Sequence, residues 1–473
     1  MNATDRRPRN HLRALPVICI TLLSLSTCDV FLVLGGVDTL VPGNSFYVDP
    51  VNGSPDGDGS LENPWRTVED VIDAGLIKAW RYDAPYNETR ELEPINPDGP
   101  VTGGDTIYLM DGDHGELDLR QCYNLRPLTF EAYDDHEPVV SRIEIMSASH
   151  VVVRGLTVRP DPGYTEAYRL VYVHASGWHG PLEDVTIEDN FVYSVPDSSE
   201  WSRDDWNTLS CSGIGVRADH VNVIDNRLLN VNFGISYDGN FGVVRGNEIE
   251  NFSGDGMRGI GSDLLFEYNT VRNCYAVNGN HDDGFQSWSI DDQPPRERVV
   301  LRGNVIIGYT DPEQPFRGTL QGIGCFDGFF HDWVVENNLI VTDHWHGITL
   351  SGARRSRIVN NTVVDLNDER PGPPWIRISA HKDGRPSEDC LIRNNIAATI
   401  SAGAGVRDDH NYRIPSFEQI DAIFRDPAAG DYSLAEDSPA RDAGISEEAA
   451  FFDILGRPRP RGAGIDLGAY ETY

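Results

Sequence analysis

The sequence predicts an all-β protein, a right-handed parallel β-helix with an N-terminal capping helix, and three observations predict it. The first is a ladder of asparagines. The phrases "EDNFV", "IDNRL", "RGNEI", "EYNTV", "RGNVI", "ENNLI", "VNNTV" and "RNNIA" share an asparagine with an aliphatic residue two positions on: Asn190, Asn226, Asn247, Asn269, Asn304, Asn338, Asn361 and Asn395. Their intervals of 36, 21, 22, 35, 34, 23 and 34 residues describe a unit of 21 to 23, lengthened by about a dozen in four rungs. The second is a set of short β-branched runs such as "VNVID", "GVVRG" and "RVVLRG", bounded by Gly or Asn. Strands this short cannot bury a face alone, and stacking the units buries it. The third is a glycine followed by an aliphatic residue or Phe, in "SGIGVR", "FGISYDG", "DGMRGIG", "DGFQSWS", "QGIGCFDG" and "HGITLSG". A β-propeller would require a period of roughly 40 to 50 residues, and a leucine-rich repeat a denser leucine pattern. Asparagine tolerates a left-handed turn and can bond its equivalent on the next rung, so the ladder is expected to stack in one turn.

Taken along the chain, residues 1–43 read as an export signal: Arg6, Arg7, Arg9 and Arg13 precede an apolar run from Ala14. "LSTC" at Leu25 to Cys28 resembles a lipobox that would place a lipid on Cys28, although Thr27 suits the position before the cysteine poorly. No later segment approaches the roughly 20 apolar residues of a membrane span. Residues 44–100 read as an opening strand and cap, 101–410 as the β-helix, and 411–473 as a closing segment. Asp56, Asp58 and Glu62 could hold calcium, though Asp and Gly there are ordinary turn residues. "GGDTIYL" at 103–109 is no phosphate loop, because no Lys-Ser or Lys-Thr follows it.

With 39 Lys and Arg against 74 Asp and Glu, the net charge of −35 makes nucleic acid and anionic membranes poor partners. It also counts against an acidic polymer, unless basic residues gather locally. Only Lys78 and Lys382 are lysines, so cationic work falls to arginine. Cys122, Cys211, Cys274, Cys325 and Cys390 show no C-x-x-C spacing and read as small buried hydrophobes, not as a zinc site or a disulfide framework.

Strand alternation places a candidate site. If Ile214, Ile235, Met257, Phe285, Ile323 and Ile348 face the core, the outward column is Gly215, Ser236, Arg258, Gln286, Gly324 and Thr349. The next outward column is Arg217, Asp238, Ile260, Trp288, Phe326 and Ser351. Stacked strands lie about 4.8 Å apart, so Arg258 and Gln286 become neighbours, with Asp238 and Trp288 beside them. The turns add Asp255, His281, Asp282, Asp283, His344 and His346, and insertions at 191–210, 273–283, 289–297 and 309–319 would wall a groove for an extended chain. Any β-helix exposes polar residues on every rung, and Asp before Gly is common in turns. Clustering over adjacent rungs is what favours a site, and Trp288 suits stacking on a sugar face.

"NHDDGFQSWS", framed by "GDGMRGIG" and "NCYAVNG", is similar over about two rungs to a motif of right-handed β-helix polysaccharide lyases, particularly those acting on alginate. The resemblance implies β-elimination on a uronate polymer. Arg258 would neutralise the substrate carboxylate, His281 would remove the adjacent proton, and Tyr237 or His346 would protonate the leaving oxygen. Strict alternation, however, turns Tyr237 inward. Asp282 and Asp283 would orient His281 or, with Asp255, hold Ca²⁺; otherwise no cofactor is required. Asp238, Gln286, Trp288, His344 and His346 would bind substrate. The groove departs from many such lyases in having no lysine. Two alternatives stand beside this reading. An inverting glycoside hydrolase would use Asp255 with Asp282 or Asp283, roughly 6.5 to 9.5 Å apart. A non-catalytic carbohydrate-binding surface protein would need only the aromatics. In each case the expectation is a monomer, exported to the periplasm, exterior or cell surface, with an extended polysaccharide as partner.

Overall fold

The computed structural model describes residues 43–289 and 293–473. The export signal and Cys28 lie outside the described residues. From Ser45 onward the chain coils through three sheets of 15, 12 and 11 strands. Each rung visits them in the same order. Val221–Ile224, Arg227–Val231 and Ile235–Tyr237 form one rung; Val243–Arg245, Glu248–Phe252 and Met257–Gly259 form the next. Pairing between these rungs is parallel throughout.

The core is built by vertical files. In the third sheet Ile214, Ile235, Met257, Phe285, Ile323 and Ile348 stand in register, each buried. A single strand of three to six residues has one buried face and two open edges; its rung neighbours supply both missing partners.

The asparagine ladder is present at all eight expected positions and continues to Asn411. Each Nδ2 donates to the Oδ1 of the next rung, as from Asn247 to Asn269 at 2.9 Å. That oxygen also accepts the backbone N–H of the preceding asparagine, at 3.0 Å in the same pair. The left-handed conformation does not fall on the ladder asparagines themselves. The residues just before the ladder asparagines adopt it, from Asp189 at φ 52° to His410 at φ 51°. The corner is turned by one residue, leaving the next free to align its amide with the stack. A second short ladder, Asn230, Asn251 and Asn273, runs where the second sheet leads toward the third.

The predicted cap is the helix Val68–Asp73, started by Thr67, whose hydroxyl accepts from the Asp70 N–H. It buries Val68 and Val71. Asp58 accepts from the Ser60 N–H at 3.0 Å, the ordinary turn role. Coiling begins before residue 101, because Ser45–Val48 already pairs with Thr106–Leu109. It ends at Tyr412–Arg413, paired with Ile396–Ala397. The closing segment packs Ile420, Phe424 and Leu467 against Leu339, Val341, Val364 and Ile396 of the second sheet. All five described cysteines are free and buried. Among the described residues no helix is long and apolar enough to cross a membrane.

Candidate active site

The third sheet presents the expected column in register: Ser236 beside Arg258, Arg258 beside Gln286, Gln286 beside Gly324, and Gly324 beside Thr349. Phe285 and Ser287 are buried, while Gln286 and Trp288 reach the outer face. The second column needs one correction. Trp288 pairs with Asp327, not Phe326, because the strand Gln321–Asp327 carries one extra residue after Gly324. Such a bulge re-aims the side chains beyond it. Gln286, Trp288, Gly324, Phe326 and Asp327 consequently surround a pocket of about 290 Å³.

Asp283 opens the strand Asp283–Trp288 and is fully buried, with its carboxylate on the Gln286 side of the sheet, over Gly324. A β-carbon on Gly324 would sit 2.0 Å from Asp283 Oδ1. Gln286 Nε2 donates to Oδ2 at 2.9 Å, and Oδ1 is buried without a partner. Asp255, one rung earlier, accepts the Asp283 N–H at 3.0 Å through Oδ1 and is bonded by Arg258 Nε through Oδ2. The Arg258 guanidinium lies 3.9 Å from the centre of the Phe233 ring and 5.6 Å from that of Trp288. Asp282 accepts from Cys274 Sγ at 3.5 Å through Oδ2, and its Oδ1 is buried and unpaired.

Burial pushes all three carboxyls up. It takes Asp282 to about 7, with the charge of Asp255 adding to it. Asp283 lies well above the usual carboxylate range, through burial and then the charges of Asp255 and Asp282. Asp255 rises through burial, against the pull of Arg258. The charges of the three oppose one another's ionisation, while Arg258 works against the rise at both Asp255 and Asp283. Of the trio, Asp255 is bonded by Arg258 and Asp283 by Gln286. Among the described residues no group of three or more His, Cys, Asp or Glu could hold a metal ion.

The remaining candidates divide. His281 is exposed on the turn before Asp282. His344 and His346 stack at 5.2 Å, and His346 Nδ1 meets Thr349 Oγ1 at 3.1 Å. Burial, His344 and Arg377 lower His346 to about 4, so near pH 7 it is a neutral imidazole without the acidic imidazolium proton a general acid needs. Tyr237 cannot serve as the acid. It is fully buried, with its hydroxyl bonded to the backbone N–H and carbonyl of Val221. Asp238 is exposed, 3.8 Å from Arg217, and contacts the site only through its charge on Arg296, whose Nε donates to the Trp288 carbonyl at 3.0 Å. Sequence reasoning missed Phe233, which has no local signal. It also missed Trp345 and Trp375, whose rings stack at 6.5 Å next to the two histidines. "HWHG" carried that signal.

No family model and no curated protein matches the chain. Solved structures do. The complex of XylC with xylose matches at TM-score 0.53 and 10% identity, covering 90% of this chain and 99% of that one. The fold is a right-handed parallel β-helix. Pectate lyase Pel9A matches at TM-score 0.45 and 14% identity, over 92% of this chain and 98% of that one. The A-module of the Azotobacter vinelandii mannuronan C-5 epimerase AlgE4 matches at TM-score 0.37 and 14% identity, over 66% and 91%. At these identities the likeness concerns the right-handed parallel β-helix alone.

Proposed function

We propose that this chain is an exported enzyme that hydrolyses glycosidic bonds of an extended polysaccharide lying along the third sheet. Asp283 carries the reading. Its buried carboxyl lies over Gly324, which lines the Trp288 pocket, and burial raises its pKa, which favours the acid form. A carboxyl in that state gives its proton to the leaving oxygen. Asp255, paired with Arg258, is the carboxylate that takes the proton of the attacking water. A carboxylate has about four acceptor sites, so two existing bonds leave capacity for that water. Trp288 offers a ring face to the sugar. The xylose complex of a protein with this fold agrees with a sugar ligand.

One observation favours a second reading, elimination from a uronate. Arg258 and Gln286 stand side by side in one column, next to Asp283, and together could donate to a sugar carboxylate. His281 would then remove the neighbouring proton. A panel of acidic and neutral polysaccharides separates the two. Hydrolysis yields new reducing ends without unsaturated-uronate absorbance and is abolished by Asp283→Asn. Elimination yields that absorbance. Binding without new ends on any polymer would overturn both.

A further inference from the structure

The groove does not end at Trp288. Asp327, which closes the pocket beside that ring, also lines the next one, a cavity of about 570 Å³. Its walls carry Arg354, His381, Lys382 and Arg385 around Phe329, with Asp327 as the acid among them. One of the chain's two lysines and two of its arginines thus meet in one hollow of a molecule whose net charge is −35. The small sheet of Arg296–Glu297, Phe330–His331 and Ala353–Arg354 supplies Arg354. The loop after Trp375–Ser379 supplies His381, Lys382 and Arg385.

These side chains are held in position. The Arg385 guanidinium lies 3.8 Å from the centre of the Phe329 ring, and its Nε donates to Asp383 at 2.7 Å. Asp383 also meets His381 Nδ1 at 2.9 Å. Arg354 approaches Glu388 at 3.4 Å, and Lys382 pairs with Asp327. The side chains of Arg354, Lys382 and Arg385 are nevertheless 41%, 67% and 60% exposed. Pairs so open to water contribute little, and an incoming anion displaces such partners at small cost. A guanidinium stacked on an aromatic ring keeps its fork in plane for a carboxylate.

We propose that this pocket is a subsite for an anionic sugar substituent, a carboxylate or a sulfate ester, so that the polysaccharide is acidic. The assignment rests on the polysaccharide reading above and narrows its substrate. It also answers the objection raised by the net charge, since the required cations are gathered where the chain would run.

Calorimetric titration of the full chain tests it, with oligogalacturonate, a sulfated galactan oligosaccharide and a cello-oligosaccharide as probes. Acidic oligosaccharides should bind the native protein more tightly than the neutral one. The double variant Lys382→Ala/Arg385→Ala should weaken acidic binding tenfold or more and leave neutral binding unchanged. Arg385→Lys, which keeps charge and loses the fork, should fall between. Tight binding of the sulfated probe identifies sulfate as the source, and preference for the galacturonate identifies carboxylate; both support the subsite. Equal native affinity for the neutral probe, or an unaltered double variant, overturns it. Asp283→Asn should keep acidic binding, so loss of cleavage and loss of the subsite are read separately.

Discussion

The Asp283 carboxylate occupies the space that a side chain on Gly324 would fill, one rung further along the third sheet. Only glycine leaves room there. Gly324→Ala should displace the carboxylate while the vertical file of core residues stays in place. A catalytic group moved by about 1 Å costs roughly 10²-fold in rate. Turnover should fall by that order, with circular dichroism and melting temperature close to native. Native turnover in Gly324→Ala would remove Asp283 from the chemistry.

Asp282 sets a pH dependence of stability. Its folded pKa of about 7 lies above the usual 3.8, so between those values the folded chain holds more protons than the unfolded one. Stability from this group is therefore full below about pH 4, declines as pH rises toward 7, and is flat beyond. Asp365, also raised by burial to about 7, acts in the same sense. Asp282→Asn should gain stability over native by on the order of 1–3 kcal/mol at about pH 8 and far less at about pH 4. Denaturant melts at the two pH values measure the difference; equal gains would refute the raised pKa.

His281 and Arg258 part the two chemistries. Under hydrolysis, His281→Ala should retain most turnover, because the exposed imidazole makes no bond to the three aspartates. Under elimination the same change should abolish it. Arg258→Ala should cost rate under either reading, since it frees the buried Asp255 to bind a proton. Arg258→Lys should recover only part, as the planar contact on Phe233 is lost. Steady-state kinetics on one cleaved polymer reads all three variants.

Asn269 bonds both ladder neighbours. Its Nδ2 donates to Val244 and Asn304, and its Oδ1 accepts twice from Asn247. Asn269→Ala leaves buried donors and acceptors unsatisfied, each worth about 1–3 kcal/mol. The predicted loss is roughly 2–4 kcal/mol, seen as a lower denaturation midpoint. An exposed control, Asn278→Ala, should change little.

The repeat was legible because a solenoid writes its packing into local spacing. Each rung meets only its neighbours, so the files through Met257 and Phe285 and the ladder through Asn269 follow from period and alternation. The same logic placed Arg258, Gln286 and Gly324 in one column. It failed where geometry departs from strict alternation. The bulge that sets Trp288 opposite Asp327 depends on how two strands of unequal length are accommodated. The left-handed residue could have been either member of each corner pair, and the fold chose the one that left the amides stacked. Other facts lay beyond any local pattern. That Asp283 lies over Gly324, that burial raises its pKa, and that Arg258 is held by Asp255 and Phe233 are properties of side chains meeting across rungs. Composition could count two lysines but could not show Lys382 beside Arg354 and Arg385. The periodic backbone of this protein is a property of its sequence; the charge states and cation placement of its groove arise from desolvation and proximity, which exist only once the coil has closed.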